Sequence, residues 1–158
     1  LDASFGTGGV VAAPDMQRLA TGAAGRIYAV AGFDDVTVTA LTATGTIDGS
    51  FGVGGSLSVD LTSDHSVADL AVAPDGSLYI AGANRIDPAT FQPMLLHVST
   101  GGVLDSSFVP ALPADADMVM SMDIDGSRLI VLTAEAFNGG GRLFPLHLDG
   151  SIDQSYAG

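Results

Sequence analysis

The residues best placed to do chemistry in this chain are aspartates. The run Ser121-Met122-Asp123-Ile124-Asp125-Gly126 puts oxygen ligands at alternate positions and then a glycine, as the first half of a calcium loop does. Asp123 and Asp125 are therefore candidate Ca²⁺ ligands. The downstream bidentate glutamate is missing, and the alternation of Met118, Met120, Met122 and Ile124 fits a strand entering a turn equally well. Four more aspartates, Asp2, Asp48, Asp105 and Asp153, recur in one short motif. With Asp75 and Asp125 they are expected at one end of the molecule, as an acidic rim attracting Ca²⁺ or cationic groups. The simpler alternative is that each side chain closes its own turn by accepting nearby backbone N–H groups. Acid–base chemistry on a carbohydrate would need two carboxylates about 5 to 9 Å apart, and a sequence cannot place two together. His65 beside Ser66 is adjacency in a chain and not a nucleophile–base pair. His97 and His147 fall at similar places on predicted outer strands, where exposure is the expectation.

A second group could bind without reacting. Arg85, Phe91, Phe137, Asn138 and Arg142 supply guanidinium, aromatic and amide groups. They lie in connections of unequal length, predicted long at 84–93 and 135–141, and they suit sugar or peptide contacts. The glycine-rich stretches are not phosphate loops, because Gly6-Thr7-Gly8-Gly9 and Gly139-Gly140-Gly141 lack a following Lys and helix.

The elements that must position these residues are repeats. Leu1-Asp2-Ala3-Ser4-Phe5-Gly6-Thr7-Gly8-Gly9 returns as Ile47-Asp48-Gly49-Ser50-Phe51-Gly52-Val53-Gly54-Gly55. It returns more loosely as Leu104-Asp105-Ser106-Ser107-Phe108 and as Ile152-Asp153-Gln154-Ser155-Tyr156. The units run approximately over 1–46, 47–103 and 104–151, with 152–158 the start of a fourth, a period of roughly 50 residues. Each reads as four short strands parted by Gly and Asp turns. They fall near 10–12, 16–20, 26–31 and 36–43; near 56–61, 67–73, 77–81 and 94–99; and near 109–111, 118–124, 128–133 and 142–148. Runs such as Ile27-Tyr28-Ala29-Val30-Ala31 fit strands covered on both faces, whereas Val36-Thr37-Val38-Thr39 alternates as if one face were wet. No convincing helix is present. The fold class is all-β: a β-propeller-like array of three four-stranded antiparallel blades. The aromatics Phe5, Phe51, Phe108 and Tyr156 are expected where one blade hands over to the next.

This motif and strand pattern resemble the delta-60 repeat family of bacterial tandem repeats, with its Leu-Asp-x-Ser-Phe-Gly-x-Gly-Gly signature. The match is close at residues 1–10 and 47–55, and the third copy departs from it, with Val109-Pro110 in place of the glycines. The resemblance implies a β-propeller-like array, commonly on secreted or cell-surface proteins, and assigns no catalytic residues.

Composition narrows the remaining classes. The net charge is −13, with five Arg and no Lys, so no cationic surface is offered to nucleic acid or to an anionic membrane. Only Glu135 among the 18 acidic residues is a glutamate, and aspartate is a turn former, so the acidity sits in turns. The absence of cysteine excludes disulfides and thiolate chemistry. No apolar run approaches the roughly 20 residues of a membrane-spanning helix. The start at Leu1, inside a repeat motif, reads as a piece of something longer. Propellers close with four to eight blades. Three blades therefore imply further blades from the same or another chain, or a homodimer closing a six-bladed ring. The expected function is a non-enzymatic binding, adhesion or assembly module of an exported bacterial protein, with a glycan or peptide ligand. The alternatives are a propeller-scaffolded carbohydrate-active enzyme using Asp residues and a purely structural spacer. No cofactor beyond Ca²⁺ is implied.

Overall fold

The computed structural model of the chain describes residues 2–13, 15–32, 35–61, 64–135 and 140–156. Among the described residues ten strands form three antiparallel sheets, each a simple meander. The first sheet comprises β1 (Arg18–Thr21), β2 (Ile27–Gly32), β3 (Val36–Leu41) and β4 (Ser56–Val59) in that order. The second holds β5 (Asp64–Val72), β6 (Leu78–Asp87) and β7 (Thr90–Val98). The third holds β8 (Met118–Asp125), β9 (Arg128–Ala134) and β10 (Gly141–His147). The helical segments are two single 3₁₀ turns, at Ala23–Gly25 and Gln154–Tyr156.

The apolar runs are explained by burial on two faces. Leu78 and Ile80 of β6 join Tyr28, Val30, Val36, Val38 and Phe51 in one core, between the first and second sheets. The intervening Tyr79 and Ala81 join Val119, Met122, Leu129, Val131 and Leu146 in another, between the second and third. One strand thus feeds two cores by alternation. In β3 the valines are buried while Thr37 and Thr39 are half-exposed, as the alternating pattern requires.

Strands β1, β5 and β8 neighbour one another across the stack and are tied by polar contacts. The register slips at Ala68 in β5 and at Met120 in β8. The Arg18 guanidinium donates from Nε to the carbonyl of Ala68 at 2.5 Å. Asp69 Oδ2 accepts the Ser121 hydroxyl and the Met122 N–H, each at 2.8 Å. Bulges turn backbone groups out of the ladder, and here the neighbouring sheet uses them.

Two expectations need correction. The strand after the second motif, β4, pairs with β3 and not with β5, so it completes the sheet of the first unit. The second copy of the Asp-x-Ser-aromatic motif is therefore the connection between the third and fourth strands of the first sheet. Among the described residues the second and third sheets carry three strands, not four. In the second motif Gly52, Gly54 and Gly55 all take positive φ, from 54° to 95°, and return the chain onto β3. In the third motif Val109, Ala111 and Leu112 stand at those positions, with Pro110 between them. Side chains with a Cβ disfavour that conformation and Pro cannot donate to a ladder, so no strand forms on the free edge of β7.

The segment 84–93 is not a long loop either. Strands β6 and β7 continue as a two-stranded ribbon in which Arg85 faces Phe91 across the ladder and only a short turn parts Asp87 from Thr90. Pro93 sits in β7, the edge strand, where its missing N–H costs nothing.

Candidate functional site

The aspartates of the motif share one local geometry. Asp2, Asp48, Asp105 and Asp153 each accept, on Oδ1, both the backbone N–H and the hydroxyl of the serine two residues on. At Asp48 the distances to Ser50 are 3.0 Å and 2.6 Å. Asp75 with Ser77 and Asp149 with Ser151 repeat the arrangement. These serine bonds hold all six carboxyls below their ordinary value. Asp105 falls lowest, to about 2, through the Ser107 hydroxyl and then His97. A general acid needs its pKa raised towards the working pH, and every resolved carboxyl shift among the described residues is downward.

A depressed carboxyl stabilises the fold above its unfolded value and loses that contribution as pH falls towards its folded value. The thermal midpoint is thus expected to be level from neutrality to about pH 5. It should then fall as pH drops through 3.8 towards 2, the span between the ordinary aspartate value and that of Asp105. Circular dichroism melts across this range check it; a midpoint level down to pH 2 would mean the unfolded chain keeps the same bonds.

The second oxygens of Asp48 and Asp105 organise the sheet junctions. Between the first and second sheets, Arg26 spans the boundary. Its Nε donates to Asp48 Oδ2 at 2.7 Å, and its terminal nitrogens reach Ser50 Oγ at 2.8 Å, the Tyr28 hydroxyl at 3.2 Å and the Thr100 carbonyl at 3.3 Å. Between the second and third sheets lies a pocket of about 380 Å³, whose walls include Asp75, Tyr79, His97, Asp105, Phe108 and Asp149. The Tyr79 hydroxyl donates to the Leu148 carbonyl at 2.5 Å. His97 stacks on Tyr79 with ring centroids 4.8 Å apart and places Nδ1 3.0 Å from Asp105 Oδ2. Burial, then the charges of Asp75, Asp149 and Asp105, push the Tyr79 hydroxyl up to about 12.

Both junctions use the same mechanical part. The aromatic of each motif lies against the glycine that precedes the next motif. A Cβ on Gly45, Gly102 or Gly150 would stand 3.0 Å from the ring of Phe5, Phe51 or Phe108 respectively. Backbone bonds run alongside, from Gly6 N–H to the Thr44 carbonyl, Gly52 N–H to that of Gly101 and Ala111 N–H to that of Gly150.

The other predicted site residues are dispersed. Asp123 and Asp125 lie on β8, where Asp123 Oδ1 accepts the Ile124 N–H at 2.8 Å and Asp125 pairs with Arg128 at 2.6 Å. Among the described residues no group of three or more His, Cys, Asp or Glu is placed to hold a metal ion. Phe91 lines a groove of about 530 Å³ with Pro110, Leu112 and Pro113. Arg142 stands on the third sheet, paired with Asp115 at 2.6 Å and 5.7 Å from the Phe144 ring centroid. Phe137 and Asn138 lie outside the described residues. His147 is exposed as expected, while His97 is half-buried at the junction and His65 is buried in β5. The pocket between the second and third sheets escaped sequence reading because its walls come from four segments more than 70 residues apart at the extremes.

Among the described residues no helix is long and apolar enough to cross a membrane. Comparison with protein-family models, with curated proteins and with solved structures finds no match.

Proposed function

We propose that the chain is a segment of a β-propeller, half of a six-bladed ring, and acts as a non-enzymatic binding and assembly module of an exported bacterial protein of the delta-60 repeat type. One observation carries the reading: the outer faces of the first and third sheets present, uncovered, the positions that are buried where sheets meet inside the stack. Leu19 of β1 is 72% exposed, while Leu70, at the matching place in β5, is 6% exposed against the first sheet. Leu143 of β10 is 61% exposed, while Leu95, its counterpart in β7, is 5% exposed against the third sheet. A sheet apolar on both sides needs a neighbour on both sides, and each end offers the surface complementary to the other. Two copies joined end to end twice would close the ring around a two-fold axis. Further blades in one polypeptide would do the same. The fidelity of the motif at residues 1–9 and 47–55 supports the family reading, and with it an exported or surface location. The groove between Phe91 and the segment that follows the third motif supports a peptide or glycan contact.

Light scattering after gel filtration tests the end faces. The chain is expected to associate at micromolar concentration, and Leu143→Glu to return it to a monomer. A wild-type chain that runs as a well-behaved monomer would argue against a shared ring.

A further inference from the structure

The two junctions are built alike but charged differently: each holds a pocket, about 440 Å³ beside Arg26 and about 380 Å³ beside His97. In register, Ser77 of the second sheet stands where Arg26 stands in the first, one residue before β6 and β2 respectively. Tyr79 matches Tyr28, Asp105 matches Asp48, Ser107 matches Ser50, and the Leu148 carbonyl matches that of Thr100. Every acceptor that holds the Arg26 guanidinium thus has its counterpart around the pocket between the second and third sheets. The guanidinium itself is missing there, because Ser77 is too short to supply one. Two carboxylates are added instead. Asp75 occupies the position of Ala24, and Asp149 that of Gly101. His97, in the place of Ala40, takes over the contact with the motif carboxylate, and the Tyr79 hydroxyl that with the Leu148 carbonyl.

We propose that this pocket binds a guanidinium group, the arginine side chain of a partner peptide or protein, in the setting that Arg26 occupies in cis one junction earlier. A planar fork of N–H donors matches carboxylate, hydroxyl and carbonyl acceptors held at fixed places. Oδ1 of Asp75 and of Asp149 is spent on a serine, while Oδ2 of each takes no hydrogen bond from the described residues. Three carboxylates face the pocket, and no arginine lines it. Phe108 and the His97–Tyr79 stack supply an aromatic wall against which a guanidinium plane can lie. The Tyr79 hydroxyl, raised first by burial, is raised further by the same carboxylates. The pocket lies within the stack, so its occupancy does not depend on what covers the end faces.

The test uses the peptide acetyl-Gly-Arg-Gly-amide, with citrulline replacing arginine as the neutral isostere and methylguanidinium as the free cation. NMR shifts of the Tyr79 and Phe108 ring protons report the pocket. The arginine peptide is expected to saturate these shifts with a dissociation constant of about 1 mM or tighter, weakened by salt, and the citrulline peptide to leave them unmoved. Methylguanidinium should move the same resonances more weakly than the peptide; equal affinity would reassign the site to small cations and overturn the partner. Ser77→Arg should occupy the acceptors from within, as Arg26 does one junction earlier, and abolish peptide binding. Asp149→Asn keeps the serine turn and should weaken binding about tenfold through the loss of one charge. Equal response to citrulline, no saturable shift, or undiminished binding in Asp149→Asn would each overturn the proposal.

Discussion

Phe51→Ala is expected to cost about 3–5 kcal/mol of folding stability, a large share of the 5–15 kcal/mol typical of a domain. The ring is fully buried and meets Tyr28 edge-on, with centroids 5.6 Å apart. It belongs to a core that draws on the first sheet through Val30 and Val38 and on the second through Leu78 and Ile80. Its loss opens a cavity between two sheets and also forfeits an aromatic pair worth about 0.5–1.5 kcal/mol beyond area burial. Phe5 occupies the same motif position but is only half-buried, with Gly45 of the first sheet on one side of it. Phe5→Ala is expected to cost about 1 kcal/mol, close to an average substitution. Urea unfolding of the two variants, compared at unchanged slope, reads the difference. Similar losses would mean that the motif stabilises its own turn and does not fasten one sheet to the next.

That contrast shows what the sequence made legible and what it did not. Most strands between the turns could be read from alternation and from Gly and Asp punctuation, because one period serves local geometry and burial alike, but those expected near 10–12 and 109–111 do not form. The exchange of faces in β6 was legible too: an uninterrupted Leu78-Tyr79-Ile80-Ala81 run has no polar face to leave wet. The phase of the sheets was not legible. Residues 56–59 follow the second motif directly, yet their partner is β3, and a repeat period is the same whichever sheet owns that strand. The number of strands turned on Val109, Pro110, Ala111 and Leu112, which look like a modest departure in letters but remove the three positive-φ positions of the turn. The ribbon at 84–93 was hidden by Pro88 and Pro93, which read as loop residues until an edge strand is known to host one of them. The junction pocket was hidden for another reason: register between repeats had to be known before Ser77 could be seen as the missing counterpart of Arg26.

Gly102→Ala should be as damaging as the loss of Phe51, although it adds one methyl group and removes nothing. Gly102 has φ of 76°, a conformation that L-residues adopt at a cost of about 1–2 kcal/mol. Its added Cβ would stand 2.4 Å from the Gly52 nitrogen, 2.9 Å from the Gly52 Cα and 3.0 Å from the Phe51 ring. Two of those three neighbours are backbone, and the Gly52 N–H is already committed to the Gly101 carbonyl at 2.8 Å. The turn of the second sheet and the motif of the first must therefore move apart, which breaks that bond and unseats the ring together. Overpacking of this kind costs about 1–3 kcal/mol, and with the backbone strain the total is expected to reach about 3–5 kcal/mol. Gly101→Ala is the control. It alters the same turn one residue earlier, where an added Cβ meets nothing closer than the Ser99 hydroxyl at 4.0 Å, and it should change stability by less than about 1 kcal/mol. A pair of variants differing by one position separates inter-sheet contact from turn propensity. If Gly102→Ala were as mild as Gly101→Ala, the sheets would be held together by their cores alone, and the recurring aromatic-on-glycine contact would be a by-product of the repeat.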